Sequence, residues 1–186
     1  MSPVAREANV LGALSLVVTD LTAQAVAAAT GQSVSAAAAL SALDQFLDRP
    51  SLDQLRKVLG LTPSGAVRLV DRLAGAGLVE RGPGGDGRSR SVVLTEAGRR
   101  AAERIGQARA SLLGTALADL TPAELQDLHA LLSRIMSNVV HAKAGGAWIC
   151  RLCDLTACGR PAGQCPAATA AAAKYGTQPA GSRSAG

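Results

Sequence analysis

The sequence predicts a mainly α-helical chain with one small β-hairpin. Three observations carry that prediction. Apolar residues recur at alternating steps of three and four along most of the chain, the period of one helix face. Helix-start signals, a Ser or Thr followed by Pro or by Glu/Gln three residues on, precede several of those stretches. Only residues 78–94 hold two short strand patterns separated by a loop rich in turn formers. The 186 residues suit one domain plus a tail, or two very small ones, and 48% apolar content is enough for a core.

The elements follow in order. Val10, Leu14, Val17 and Leu21, then alanines, form one stripe of an amphipathic helix, and that spacing suits packing on another helix. Thr30-Gly31-Gln32-Ser33 breaks it before a second helix with Leu40, Leu43, Phe46 and Leu47, which Pro50 stops. Ser51 with Gln54 is a capping box opening a short helix through Val58, closed by Gly60. Thr62 is an N-cap and Pro63 a favoured first residue for the next helix. That helix buries Ala66, Leu69, Val70 and Leu73, shows Ser64, Gly65, Arg68, Asp71 and Arg72 outward, and ends in Gly75-Ala76-Gly77. Two strands, 78–81 and 91–94, flank the loop 82–90. Thr95 caps a long helix with Ile105, Ala108, Leu112 and Ala116, and Thr121-Pro122-Ala123-Glu124 starts the last one. Its stripe, Leu125, Leu128, Leu132, Ile135 and Val139, is a heptad-like seam. From Lys143 regularity fades, and from 167 to 186 the Ala/Gly/Ser composition reads as a disordered tail.

Composition narrows the function. Three aromatic residues, Phe46, Trp148 and Tyr175, argue against base-stacking RNA modules and aromatic-rich sandwiches. No uninterrupted apolar run reaches the ~18 residues of a membrane span. The run Val10–Val18 lies between Glu7 and Asp20 with no basic leader, a poor signal peptide. The expectation is a soluble, cytoplasmic protein with no membrane partner. Charge is uneven: residues 51–100 carry 9 basic and 5 acidic side chains, whereas residues 1–50 carry 2 and 4. A basic block in a near-neutral helical frame suits a polyanion.

Two short helices joined by a tight turn, the second basic on one side, make a helix-turn-helix, whose second helix enters the DNA major groove. The Gly-rich basic hairpin directly after it makes this a winged helix-turn-helix, with a guanidinium at the wing tip suited to the minor groove. Residues 52–98 resemble the DNA-binding core of the multiple-antibiotic-resistance regulator (MarR) family. The resemblance rests on Leu69-Val70-Asp71-Arg72-Leu73, Gly77-Leu78-Val79-Glu80-Arg81, Asp86-Gly87-Arg88-Ser89 and Val92-Val93-Leu94-Thr95-Glu96-Ala97-Gly98. With two helices before and two long helices after, it extends over roughly residues 8–142.

The resemblance implies a homodimer built by the N- and C-terminal helices on double-stranded DNA, with Asp86 bracing Arg88. Thr62, Ser64, Gly65, Arg68, Arg72, Asp86, Arg88 and Arg90 are the candidate DNA-binding residues. Gly65 and Val67 depart from the small polar residues usual on a reading helix. Gly65 offers close backbone approach, and Val67 is either a contact to a thymine methyl or a partly exposed filler. Arg99 and Arg100 read as a solvated helix start.

Cys150, Cys153, Cys158 and Cys165 all fall in one short segment with spacing C-x2-C-x4-C-x6-C. Scattered structural disulfides do not cluster like this, so metal or redox chemistry is the first reading. Four thiolates satisfy an all-cysteine centre, and the neighbouring Gly and Pro residues supply the turns. Ending in Cys165-Pro166 weakly resembles the last ligand of ferredoxin-type segments, although the internal spacing differs. An iron–sulfur cluster is the leading reading, zinc the alternative, and thiol–disulfide sensing the third. His129 and His141 fall on helix faces away from the loop and read as solvated or packed.

The expected organisation is 1–50 N-terminal helices, 51–98 DNA-binding core, 99–142 dimerisation helices, 143–166 cysteine loop and 167–186 tail. The expected function is a dimeric regulator, a repressor on a near-palindromic operator, modulated by the cysteine centre. An ordinary small-molecule effector, with the cysteines holding structural zinc or acting as thiol sensors, is the alternative. A metal-dependent enzyme is a poorer reading, because the sequence shows no nucleophile–base pair, phosphate loop or His/carboxylate constellation.

Overall fold

Side-chain oxygens start most of the helices in the computed structural model, which describes residues 3–83, 90–142 and 147–176. The helices are α1 (Pro3–Thr30), α2 (Val34–Gln45), α3 (Leu52–Leu59), α4 (Pro63–Gly75), α5 (Glu96–Ala116), α6 (Pro122–Ala142) and α7 (Pro166–Tyr175). Strands β1 (Val79–Pro83) and β2 (Arg90–Leu94) lie between α4 and α5. Ser33, Ser51, Thr62 and Thr95 each accept a backbone N–H of the helix they open, and Ser51 and Gln54 complete the capping box. Thr121 and Glu124 do the same for α6, with Glu124 accepting the Thr121 N–H at 2.8 Å.

The chain divides into two compact units, Met1–Ala118 and Asp119–Gly186. In the first, α2 is the centre: Ala36 to Ala42 are all buried, and α1, α3, α4, α5 and β2 pack around it. A helix that is small and apolar all round suits that position, since its neighbours approach closely on every side. Leu40, Leu55, Leu69, Leu73 and Ile105 fill the remaining core, each burial stabilising by about 1.5–3 kcal/mol. α2 ends at Gln45, ahead of Pro50, with Phe46 as its C-cap.

The hairpin pairs Val79 with Leu94, Arg81 with Val92 and Pro83 with Arg90. The Val92 N–H also reaches the Pro50 carbonyl at 2.9 Å, so β2 is held on its other edge by the segment entering α3. At the foot of the hairpin α5 comes very close to the turn after α4. The Thr95 N–H donates to the Leu78 carbonyl at 3.1 Å, and a Cβ on Gly98 would lie 1.9 Å from that same oxygen.

α1 is largely uncovered by its own chain. Val10, Leu14, Val17 and Leu21, the predicted stripe, are all exposed, and among the described residues only Val26 of this helix joins the buried core. At about 42 Å for 28 residues, with an 18-residue stretch of mean hydropathy 1.6 within Val4–Thr30, α1 is long and apolar enough to cross a membrane by length and composition. Ser15, Thr19 and Asp20 interrupt it, which is why no uninterrupted run reaches that length in the sequence.

In the second unit α6 packs against α7. Residues 167–175 correct the expectation of a disordered tail beginning at 167. Pro166 starts α7, an alanine run favours the helix, and Ala167 and Ala170 are buried with Val140 of α6. Residues 177–186 lie outside the described residues.

Candidate nucleic-acid interface and thiol cluster

The chemistry of α4 is divided by helix periodicity. Ala66, Leu69, Val70 and Leu73 face the core, while Ser64, Arg68, Asp71 and Arg72 are exposed. Thr62 Oγ1 accepts the Gly65 N–H at 3.1 Å and lies 3.5 Å from Ser64 Oγ. Thr62 is therefore first a cap, and its hydroxyl proton is what it can still offer. A Cβ on Gly65 would lie 3.0 Å from that capping oxygen, so the structure supplies a local reason for this glycine beside the predicted backbone approach. Val67 is 40% exposed on the same outward side. Arg68 and Arg72 border an open groove with Ser35, Leu61 and Gly65. Asp86 and Arg88 fall outside the described residues. Arg90 is exposed at the start of β2, opposite Pro83.

Two side chains that sequence reasoning passed over tie the hairpin to its surroundings. Arg81 of β1 donates to Asp71 of α4 at 2.5 Å, linking the exposed side of the helix to the hairpin beside it. Both groups are solvated, so the pair adds at most ~1 kcal/mol of stability; its consequence is orientation. Arg49, at φ +45°, donates to the Pro83 carbonyl at 3.4 Å, which Ser91 Oγ also reaches at 2.9 Å. Their partners lie ten or more positions away, which no local pattern reveals.

In the second unit the four cysteines are present as thiols and the loop brings them together. The Cys153 N–H closes a turn on the Cys150 carbonyl at 2.9 Å. Asp154 Oδ1 accepts the N–H groups of Thr156 and Ala157 at 2.9 and 3.0 Å, and the Asp154 carbonyl accepts the Cys158 N–H at 3.1 Å. Gly159, at φ +66°, then turns the chain so that the Gln164 N–H returns to its carbonyl at 2.9 Å. Cys165 follows as the N-cap of α7, yet its side chain makes no capping hydrogen bond.

Cys150 and Cys165 are buried, while Cys153 and Cys158 are half-buried. Arg160 donates to Cys150 Sγ at 3.4 Å. Contact with Cys153 first, then burial and the neighbouring Cys165, pushes the Cys150 thiol far up, against the opposing pull of Arg160. Burial first, with Cys165 and Cys153 adding to it, pushes Cys158 up, and the Arg160 N–H opposes that. Each of these thiols thus feels the others. Among the described residues, no three His, Cys, Asp or Glu side chains are gathered closely enough to hold a metal ion as they stand. The thiols adjoin without forming a finished cage. His129 is exposed, and His141 Nδ1 lies 2.7 Å from the Ser137 carbonyl.

Comparison with known proteins adds a family match over part of the chain, and the fold. Residues 33–89 match the MarR family model. The structure of RV1404 from Mycobacterium tuberculosis is 24% identical, covers 74% of this chain and 95% of its own, and superposes with a TM-score of 0.63. A MarR-family transcriptional regulator from Rhodococcus sp. RHA1 is 21% identical over 73% of this chain and 95% of its own, with a TM-score of 0.58. MepR, a transcription regulator of the Staphylococcus aureus multidrug efflux pump MepA, is 18% identical over 71% and 97%, with a TM-score of 0.61. A MepR mutant bound to an oligodeoxyribonucleotide gives 18%, 72% and 97%, with a TM-score of 0.53. No curated protein sequence matches the chain. The cysteine segment lies beyond the residues of the family match. Residues 33–89 are thus similar to the MarR family, and the chain shares its fold with solved transcription regulators.

Proposed function

We propose that this chain is a homodimeric transcription repressor that reads a near-palindromic operator through α4 and the hairpin. One observation carries the reading: the exposed row Ser64, Arg68 and Arg72 stands beside a hairpin held to the same helix by the Asp71–Arg81 pair. A helix of this kind places its N-terminal residues at base edges in the major groove, and a linked hairpin then follows the backbone to the minor groove. The fold shared with MepR, solved on an oligodeoxyribonucleotide, supports the same use.

Two exposed apolar stripes support the dimer. Leu14, Val17 and Leu21 on α1, and Leu125, Leu132, Ile135 and Val139 on α6, are left uncovered by the chain's own fold. Association of two copies through these helices buries them, and a cytoplasmic site of action follows from the DNA target. A two-fold dimer presents one α4 per half-site, so half-site centres should lie ~10–10.5 base pairs apart. Footprinting on selected operator fragments, with light scattering of the complex, tests this. A monomer bound to a single asymmetric half-site would overturn it.

The four cysteines are the modulating centre in this reading, holding an iron–sulfur cluster or, as the alternative, zinc. Their number, mutual contact and burial support a four-thiolate centre. So does local charge: Arg151, Arg160 and Lys174 outweigh Asp154 between residues 147 and 175. That excess of two positive charges offsets what a four-thiolate shell leaves on a doubly charged core. Bound there, the centre supplies a redox- or chelator-sensitive crosslink. The colour and metal content of the anaerobically purified protein separate the two metals.

A further inference from the structure

We propose that loading of the cysteine centre clamps α7 onto the last turn of α6, with Lys174 as the link through which occupancy reaches that helix. This rests on the reading that the four cysteines bind one soft metal centre, and it assigns the output of that binding.

The geometry puts the two ends of α7 to different uses. Its first turn begins at Cys165, the last of the four thiols, whose sulfur is not engaged in capping. Its last turn carries Lys174, whose Nζ donates to the carbonyls of Val140 at 3.3 Å and His141 at 2.5 Å. Those are carbonyls of the final α6 turn, which lack partners within their own helix, at the end where a cation is favoured. Between the two ends, Ala167 and Ala170 lie against Val140, with Met136, Ile149 and Cys158 packed around them. The fourth thiol and the α6 terminus are therefore joined by one short rigid element.

That element is weak alone. Ten residues are fewer than the ~12–15 an isolated helix needs to be even marginal in water. Its N-cap supplies no side-chain bond, and its buried face is mostly alanine, which removes little apolar surface from water. The helix depends on what fixes its ends. Among the described residues no three ligand side chains are yet close enough to hold a metal, so loading requires the four sulfurs to close on one point. For a simple ion, four S–H bonds break, four S–metal bonds form, and four protons pass to solvent; a preformed cluster exchanges its outgoing ligands for the same sulfurs. Tethering Cys165 fixes the start of α7, and so holds Lys174 more firmly on the α6 carbonyls that it already meets. Met136, Val140 and the exposed Val139 stand on that same stretch, so the last turns of an apolar-striped helix are ordered or loosened with the metal.

The test compares the full chain, anaerobically purified from iron-fed and from zinc-fed cells, with the same protein after chelation. Iron, sulfide and zinc are measured per chain, and amide exchange is followed in peptides covering 134–142 and 166–175. Wild type should hold one centre, and chelation should speed exchange in both peptides by about tenfold or more. Lys174→Met should keep the metal and metal-dependent protection early in α7, but lose metal-dependent protection at 138–142. Cys165→Ser should lose both, with exchange in α4 and α5 unchanged. Metal bound in wild type with exchange at 138–142 indifferent to it, or with Lys174→Met responding like wild type, would overturn the clamp and leave the metal reading standing. No iron or zinc on wild type from either culture would overturn both.

Discussion

Replacing Gly98 with alanine should destabilise the winged-helix unit although it adds a good helix former. The built Cβ would lie 1.9 Å from the Leu78 carbonyl oxygen and 3.1 Å from Leu94 Cδ2. Real Cβ contacts essentially never fall under 3.0 Å, so α5 and the α4–β1 turn must part by about 1 Å. Overpacking against backbone costs about 1–3 kcal/mol. The same oxygen accepts the Thr95 N–H at 3.1 Å, and losing that bond adds about 0.5–1.5 kcal/mol. Alanine's helix propensity returns at most about 1 kcal/mol. The net is a loss of about 1–3 kcal/mol, or a Tm lower by about 3–10 °C for a chain of this size. Urea and thermal unfolding followed by circular dichroism measure it. Gly106→Ala is the control: the added Cβ meets nothing within 4 Å in the same helix, so that change should be neutral or stabilising. If Gly98→Ala matched the control, the close approach of α5 to the recognition turn would be wrong. Operator affinity should fall with stability, because the turn that sets β1 against α4 is the one being pushed apart.

Arg68→Ala should weaken binding by ~1–3 kcal/mol at a preferred guanine and flatten base preference there, read by competition between operator variants. Arg88→Ala should reduce affinity at A/T-rich flanks while leaving the unfolding curve unchanged, if that guanidinium serves the minor groove alone. Each of the four single Cys→Ser variants should lower metal content alike and still bind operator, but no longer respond to oxidant or chelator. Four variants with full metal or normal responses would favour a small-molecule effector instead. Acid should loosen the start of α6: the Thr121 N–H and hydroxyl hold Glu124 below the usual carboxylate range. A depressed carboxylate stabilises above its unfolded value of 4.5 and loses that contribution as pH falls through the folded one. An NMR titration of Glu124 in wild type and Thr121→Val tests it; identical midpoints would refute the cap.

What was legible in the sequence was what is local. Ser51 with Gln54, Thr62 with Pro63, and Thr95 before Glu96 each form their caps within four residues, and each opens a helix where the pattern placed it. The outward face of α4 follows from the same periodicity that buries Leu69 and Leu73. The Asp71–Arg81 pair, the Arg49 contact at Pro83 and the seat of Gly98 join different elements, and nothing in the spacing announces them. α7 was missed for another reason. Pro166 is a helix-start signal masked by its place beside the last cysteine of a ligand-like spacing, and an alanine run without large apolar residues resembles a solvated tail. Its burial comes from Val140, which sits 27 positions before Ala167.

The apolar stripes carry the argument one step further. A stripe at steps of three and four says that a helix covers something, not what it covers. On α4 the stripe meets its own chain and vanishes into the core, whereas on α1 and α6 the same signal leaves leucines and valines about half exposed. The outward face of α4 proposed to read DNA is thus completed within one chain, by caps, core and the Asp71 and Arg49 ties. In the proposed dimer the exposed stripes of α1 and of α6 are each left for a second copy to cover, and the proposed clamp ends on α6, which carries one of them. A signal that stiffens the end of α6 need not touch α4 to alter operator affinity. It need only change how two copies meet, because the separation of two α4 helices must match two successive major grooves.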